Sequence, residues 1–186
     1  MTHLLRRKLA SVMRRGAYLL DPSPRRPPFR PGELQELLPH LAYDFLMFGY
    51  ARAEWSKGRQ RYILEALLLH ARNLRDFLFG RIEEYGRDAD KAVIALDYAP
   101  AWNPDKGNHN YPVLWDTDQA INAQLAHLSR RRADPEAQRK LDEDAESIAA
   151  AVDRAWSLFR QALLSTAWPA ELDAAIAEKR AELGIP

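Results

Sequence analysis

Apolar residues recur at three- and four-residue spacing along several stretches of the chain, which is the period of an amphipathic α-helix. The stripe is clearest in the second stretch, where it consists of Ile63, Leu64, Leu67, Leu68, Leu74, Phe77 and Leu78. The pattern predicts four main helices, over residues 33–52, 59–84, 117–132 and 135–166, and a short C-terminal helix between Pro169 and Gly184. Since such helices bury their stripes against one another, the predicted fold is all-α, an antiparallel four-helix bundle.

Helical spacing is lost between residues 87 and 115, and this segment is predicted to be a long irregular loop. From Pro100 to Pro112, three prolines and a glycine predict that no regular structure forms. Before them, residues 92–98 are expected to form a short extended stretch. The loop also carries four large aromatic residues, Tyr98, Trp102, Tyr111 and Trp115. Because so much aromatic surface is costly to leave in water, we expect Trp102 and Trp115 to pin the loop across the helices.

A proline-rich stretch separates the helical region from the N-terminus. Residues 21–32 hold five of the twelve prolines, so a domain boundary is predicted there, between an arm of residues 1–32 and a bundle domain of residues 33–186. Residues 1–30 carry eight Lys or Arg against one acid, and the rest of the chain is mildly acidic. Such an arm is either a contact for nucleic acid or an anionic surface, or a solubilising leader. Within the first predicted helix, Pro39 is expected to bend the helix or split off its first turn.

Composition excludes several classes of function. The chain has no cysteine, which excludes a disulfide framework, a zinc knuckle and a thiol nucleophile, and fits a reducing compartment. No apolar run approaches the roughly 20 residues of a membrane span, so a cytoplasmic location is expected. Metal-ligand spacing, nucleotide-binding glycine loops and the usual hydrolase motifs are absent, so no metal and no cofactor is predicted.

Two groups of polar residues are candidates for chemistry. His70 falls on the apolar seam of the second predicted helix, among Arg72, Asn73, Arg75 and Asp76. It is either an acid or base in a polar pocket, or a core histidine that hydrogen-bonds a neighbouring helix. The second group surrounds His127 in the third predicted helix and ends in three arginines, Arg130, Arg131 and Arg132. Those arginines either stabilise the negative end of the helix or hold a phosphate.

Two stretches, ALLLHARNLRDFLFG (66–80) and INAQLAHLSRRR (121–132), resemble a group of uncharacterised bacterial helical proteins. Their layout, LLLHxRNLxDF followed by AHLxxxR, is similar to that of HEPN domains, and the similarity covers about residues 33–163. The resemblance implies a four-helix bundle that often dimerises. It also implies RNA as a ligand, because many HEPN proteins are metal-independent ribonucleases in toxin–antitoxin and anti-phage systems.

The HEPN ribonuclease motif is an arginine followed, after four to six residues, by a histidine that transfers protons. His127 matches the histidine, but Asn122 stands five residues before it, and no histidine of the chain has an arginine at the required spacing. An asparagine can hydrogen-bond a phosphate but cannot neutralise its charge. The catalytic candidates are therefore His127, Asn122 and Arg130. The candidates for ligand or phosphate binding are His70, Arg72, Asn73, Arg75 and Arg131.

Three functional hypotheses follow from these residues and the resemblance. The first is a non-catalytic HEPN-like interaction or accessory domain that works as a homodimer. The second is a degenerate metal-independent ribonuclease centred on His127. The third is a small-ligand-binding bundle in which the loop of residues 98–115 covers a pocket lined by His70 and Arg72.

Overall fold

The first long helix of the protein begins and ends at residues suited to those positions. In this computed structural model, which describes residues 28–80, 92–103, 112–116, 121 and 135–185, helix α1 is Pro31–Gly58. Pro31 occupies the first helical position, where a missing amide costs nothing, and Glu33 accepts a hydrogen bond from the Arg30 amide at 2.7 Å. The helix continues through Pro39. It runs six residues beyond the predicted end at residue 52, because Trp55 extends the buried face.

Helix α2 (Arg61–Phe79) follows α1 after the two-residue connection of Arg59 and Gln60. Arg59 ends α1 in the left-handed conformation, at φ 46°, and its amide donates to the Trp55 carbonyl at 3.0 Å. The predicted range for α2, 59–84, is wrong at its C-terminal end. At Gly80 the backbone is extended, with φ −60° and ψ 142°, so the helix ends at Phe79.

The predicted irregular loop contains two short helices, α3 (Ala95–Tyr98) and α4 (Pro112–Asp116). The expectation of an extended stretch up to Tyr98 is therefore wrong. Asp97 caps the single turn of α3 by accepting a hydrogen bond from the Ile94 amide at 2.8 Å. The exclusion of regular structure around Pro112 is also wrong, because a proline at the first position of a helix starts it rather than breaking it.

The C-terminal part of the chain forms helices α5 (Pro135–Leu163) and α6 (Pro169–Leu183). Both agree with the predictions, with α5 ending three residues before the predicted residue 166. Gly184 ends α6 at φ 62°, a conformation that glycine adopts without strain. The predicted third helix, 117–132, lies outside the described residues except for Ile121, which is helical and buried.

The described helices share one hydrophobic core. Helix α1 packs against α2 and α6, α2 packs against α5, and α3 and α4 pack against α2 and α5 respectively. Between α1 and α5, the rings of Phe45 and Trp156 stack with centroids 4.5 Å apart, and Arg52 forms ion pairs with Glu146 and Asp153. The described residues contain no strand, so the all-α class is confirmed. The four-helix bundle stays a prediction.

Chain contacts divide the protein into two units. All six described helices belong to the unit of residues 29–81 and 93–186. The other unit, residues 1–28 and 82–92, lies outside the described residues apart from Pro28 and Ala92. Among the helices that the structure describes, none has the length and apolar character needed to cross a bilayer.

Candidate functional site

His70 of α2 and Asp44 of α1 form the central polar contact of the first helical hairpin. Nδ1 of His70 lies 2.7 Å from Oδ1 of Asp44, and the Asn73 amide nitrogen donates to the same oxygen at 3.0 Å. We call these three residues the Asp44 cluster. Since the carboxylate only accepts, the His70 ring donates from Nδ1. The two bonds join the middle of α1 to the middle of α2 at His70 and to Asn73 one turn further on.

The surroundings of His70 fit a structural role. The residue is only 6% exposed, and the Tyr43 ring meets its imidazole edge to face at a centroid distance of 5.6 Å. A buried ring nitrogen needs a hydrogen-bond partner, and Asp44 supplies it from a neighbouring helix. This is the arrangement that the core-histidine interpretation predicted. Asp44 itself was missed by sequence reasoning, because its partner depends on how the two helices are aligned.

The arginines predicted to bind phosphate point to a different carboxylate. Arg75 is buried, and its Nε and one terminal nitrogen contact Oδ1 of Asp76 at 3.0 and 2.6 Å. Its other terminal nitrogen donates to the Leu114 carbonyl of α4 at 3.4 Å. Arg72 also pairs with Asp76, at 3.7 Å. The structure therefore divides the four predicted ligand residues of α2 into two groups, with His70 and Asn73 on Asp44, and Arg72 and Arg75 on Asp76.

The described aromatic residues of the loop pack near the C-terminal end of α2. Tyr98 is buried and donates its hydroxyl to the Leu34 carbonyl at 2.8 Å, while the Trp102 indole donates to the Leu78 carbonyl at 2.6 Å. The predicted packing of Trp102 onto the helices is confirmed, and the Trp115 side chain lies outside the described residues. Leu78 is eight residues from His70, or roughly 12 Å along the helix. Tyr98 and Trp102 therefore pack away from the proposed pocket at His70.

Four large apolar side chains of the α1–α2 hairpin are exposed. Tyr43 and Tyr50 of α1 are 40% and 42% exposed, and Tyr62 and Leu69 of α2 are 66% and 41% exposed. We call these four residues the outer strip. Within each helix the two residues are seven positions apart, which keeps them on one face to within about 20°. Sequence reasoning missed the strip, although this seven-residue repeat was its signal.

The second group of predicted site residues cannot be placed. His127, Asn122, Arg130 and Arg131 lie outside the described residues, so the catalytic hypothesis stays a prediction. In the part of the chain that the structure describes, no three His, Cys, Asp or Glu side chains are grouped to hold a metal ion. No protein-family model, curated protein or solved structure matches the chain.

Proposed function

We propose that this chain is a non-catalytic, HEPN-like helical interaction domain of the bacterial cytoplasm that acts as a homodimer. The observation that carries the proposal is the outer strip, the exposed side chains of Tyr43, Tyr50, Tyr62 and Leu69 on the two packed helices α1 and α2. Single exposed apolar residues are common on proteins, but a patch of several is typical of an interaction surface. Tyrosine is enriched at such surfaces because it joins a large apolar ring to a polar hydroxyl.

The polar side chains of α2 support an interaction domain over an enzyme. Asp44 satisfies His70, and Asp76 holds Arg72 and Arg75, so these groups have structural partners on two different carboxylates. Phosphodiester cleavage needs a proton-transfer group and a fixed cation that converge on one phosphate. The separated contacts of these residues do not provide that convergence. The bacterial and cytoplasmic parts of the proposal rest on the sequence resemblance and on the lack of cysteine.

The test compares charge substitutions on and off the outer strip. Tyr62→Glu places a carboxylate at the most exposed position of the strip, and Leu164→Glu is the matched control, at a leucine that is 70% exposed beyond the end of α5. Sedimentation equilibrium would give the dimer dissociation constant of each. Burying an uncompensated charge is unfavourable, so we expect Tyr62→Glu to weaken the dimer by at least about tenfold and Leu164→Glu to leave it unchanged.

Two results would contradict the proposal. If the native protein stays monomeric at high concentration, the homodimer is wrong. If Tyr62→Glu and Leu164→Glu weaken the dimer equally, the outer strip is not its contact surface. RNA incubation without metal provides a separate readout of catalysis. RNA cleavage by the native protein that disappears in His127→Ala would replace the interaction domain with the degenerate ribonuclease.

A further inference from the structure

The exposed row along α1 has a symmetric sequence of charges and rings. Glu36, Tyr43, Tyr50 and Lys57 follow one another at intervals of seven residues. Each step leaves about 20° of rotation, so the four side chains emerge on one side of the helix. All four residues are exposed. The row therefore reads acid, tyrosine, tyrosine, base, and it complements itself when its direction is reversed.

We infer that the partner of the outer strip is a second copy of this chain, packed antiparallel about a two-fold axis between Tyr43 and Tyr50. This inference rests on the proposed function and specifies which residues of the two copies meet. The axis places Tyr43 against Tyr50 of the second copy, and Glu36 against Lys57 of the second copy. A two-fold axis repeats each contact, so one acid and one base on each copy make two ion pairs at the ends of the apolar contact.

The two outer-strip residues of α2, Tyr62 and Leu69, are centred at nearly the same position along the hairpin as the row on α1. The contact between Asp44 and His70 aligns the two helices. Counting from it, the midpoint of Tyr62 and Leu69 falls about two residues, or roughly 3 Å, from the level of the axis. The same axis then brings Tyr62 of one copy towards Leu69 of the other. One symmetry operation therefore covers all four residues of the outer strip.

The size of the face suits a stable dimer. The row from Glu36 to Lys57 is roughly 32 Å long, and two packed helices are about 20 Å wide. The product is roughly 600 Å² in flat projection, before side-chain relief is added. A standard interface buries about 800 Å² per partner, so the hairpin face is of the required order.

The charges at the two ends are available for such pairing. In the structure, Glu36 makes no ion pair with a described residue. Lys57 pairs with Glu54 on its own helix at 2.7 Å. That pair joins an exposed lysine to a half-buried glutamate three residues away and contributes little on its own. A lysine ammonium has three donors, so Lys57 can bind Glu54 and a second carboxylate together.

Charge reversal tests the inference by a rescue that only this pairing permits. Glu36→Lys places lysines at both ends of the row, and Lys57→Glu places acids at both ends. Each variant alone repels its own copy, so we expect its dimer dissociation constant to rise by about tenfold. In an equimolar mixture the heterodimer forms opposite-charge pairs at both ends. Sedimentation should then show dimer at close to the native affinity, and the double variant should also recover it.

The outcomes separate this inference from the proposed function. If Tyr62→Glu dissociates the dimer but the mixture and the double variant show no rescue, the antiparallel pairing is wrong and the outer strip remains the contact. If the native protein is monomeric, both are wrong. Circular dichroism of each variant verifies that the helices are retained, and the rescue itself excludes misfolding as the cause of dissociation.

Discussion

The carboxylate of Asp44 accepts two hydrogen bonds on one oxygen, from the His70 ring and from the Asn73 amide. Both donors come from α2, so the acid joins the two helices of the hairpin. Without Asp44, the buried Nδ1–H of His70 would lose its acceptor, and an unsatisfied buried donor costs more than an average hydrogen bond contributes. At the scale of single residues, the Asp44 cluster is therefore best explained as a structural contact.

Removal of the acceptor measures this role. We expect Asp44→Ala to lower the free energy of unfolding by about 1–3 kcal/mol, because His70 stays buried without a partner. Asp44→Asn keeps a side-chain oxygen and should cost less. Gln35→Ala, at an exposed residue of the same helix outside the proposed dimer contact, serves as the control, with an expected change within about 0.5 kcal/mol. Urea denaturation gives all three values, and equal losses for Asp44→Ala and Gln35→Ala would contradict the structural role.

The sequence predicts single residues only where one helix determines their environment. The apolar stripe of α2 correctly predicted that His70 is buried, because hydrophobic periodicity alone indicates which side of a helix faces the core. The partner of His70 depends on the alignment of α1 with α2, which no repeat within one helix contains. For the same reason, Arg72 and Arg75 could be grouped with His70 in the sequence, although Asp76 takes both arginines on another side of α2.

At the scale of elements, the long helices followed from the sequence and the short ones did not. Their apolar stripes predicted α1, α2, α5 and α6, and most of the predicted helix ends lie within three residues of the observed ends. Helix α3 is a single turn held by the Asp97 cap, the Tyr98 hydroxyl and burial of its ring. The contacts of Tyr98 come from the rest of the fold, and four residues are too few to show a period. A stripe therefore predicts an element only when the element spans several turns.

Tyr98 joins α3 to the beginning of α1 by a hydrogen bond whose contribution to stability can be measured. Its hydroxyl donates to the Leu34 carbonyl at 2.8 Å, and its ring packs against Phe77 and Trp168. Tyr98→Phe removes only the hydroxyl, and near neutral pH we expect it to lower the free energy of unfolding by about 0.5–1.5 kcal/mol, because one buried hydrogen bond to the Leu34 carbonyl is lost. Chemical denaturation gives the value, and no loss would contradict the contact.

The same hydroxyl makes stability depend on alkaline pH. Burial raises the pKa of Tyr98 well above its ordinary value of 10.0, with a further contribution from the charge of Asp97. Above pH 10 the unfolded chain loses this proton while the folded chain keeps it, so unfolding becomes more favourable as pH rises. The native protein should therefore lose more stability than Tyr98→Phe between about pH 9.5 and 11. Parallel pH profiles of the two proteins would contradict this assignment.

At the scale of the whole molecule, hydrophobic periodicity was sufficient for the all-α class. The sequence indicated less about the exposed surface, because single apolar residues such as Tyr43 and Tyr50 also occur on ordinary helix surfaces. Both tyrosines stay exposed in the assembled structure, although α2 and α6 pack against α1. The functional proposal therefore depends on the assembled hairpin more than on any motif.

The most direct measurement of the proposed dimer uses a single cysteine at its axis. The native chain has no cysteine, and Met47 lies at the level of the axis between Tyr43 and Tyr50. A two-fold axis brings Met47 close to Met47 of the second copy, and a disulfide requires Cα atoms within about 7 Å. Under mild oxidation of dilute protein, the antiparallel dimer predicts rapid disulfide linkage of Met47→Cys and slow linkage of Leu164→Cys. Equal rates for the two variants would contradict it.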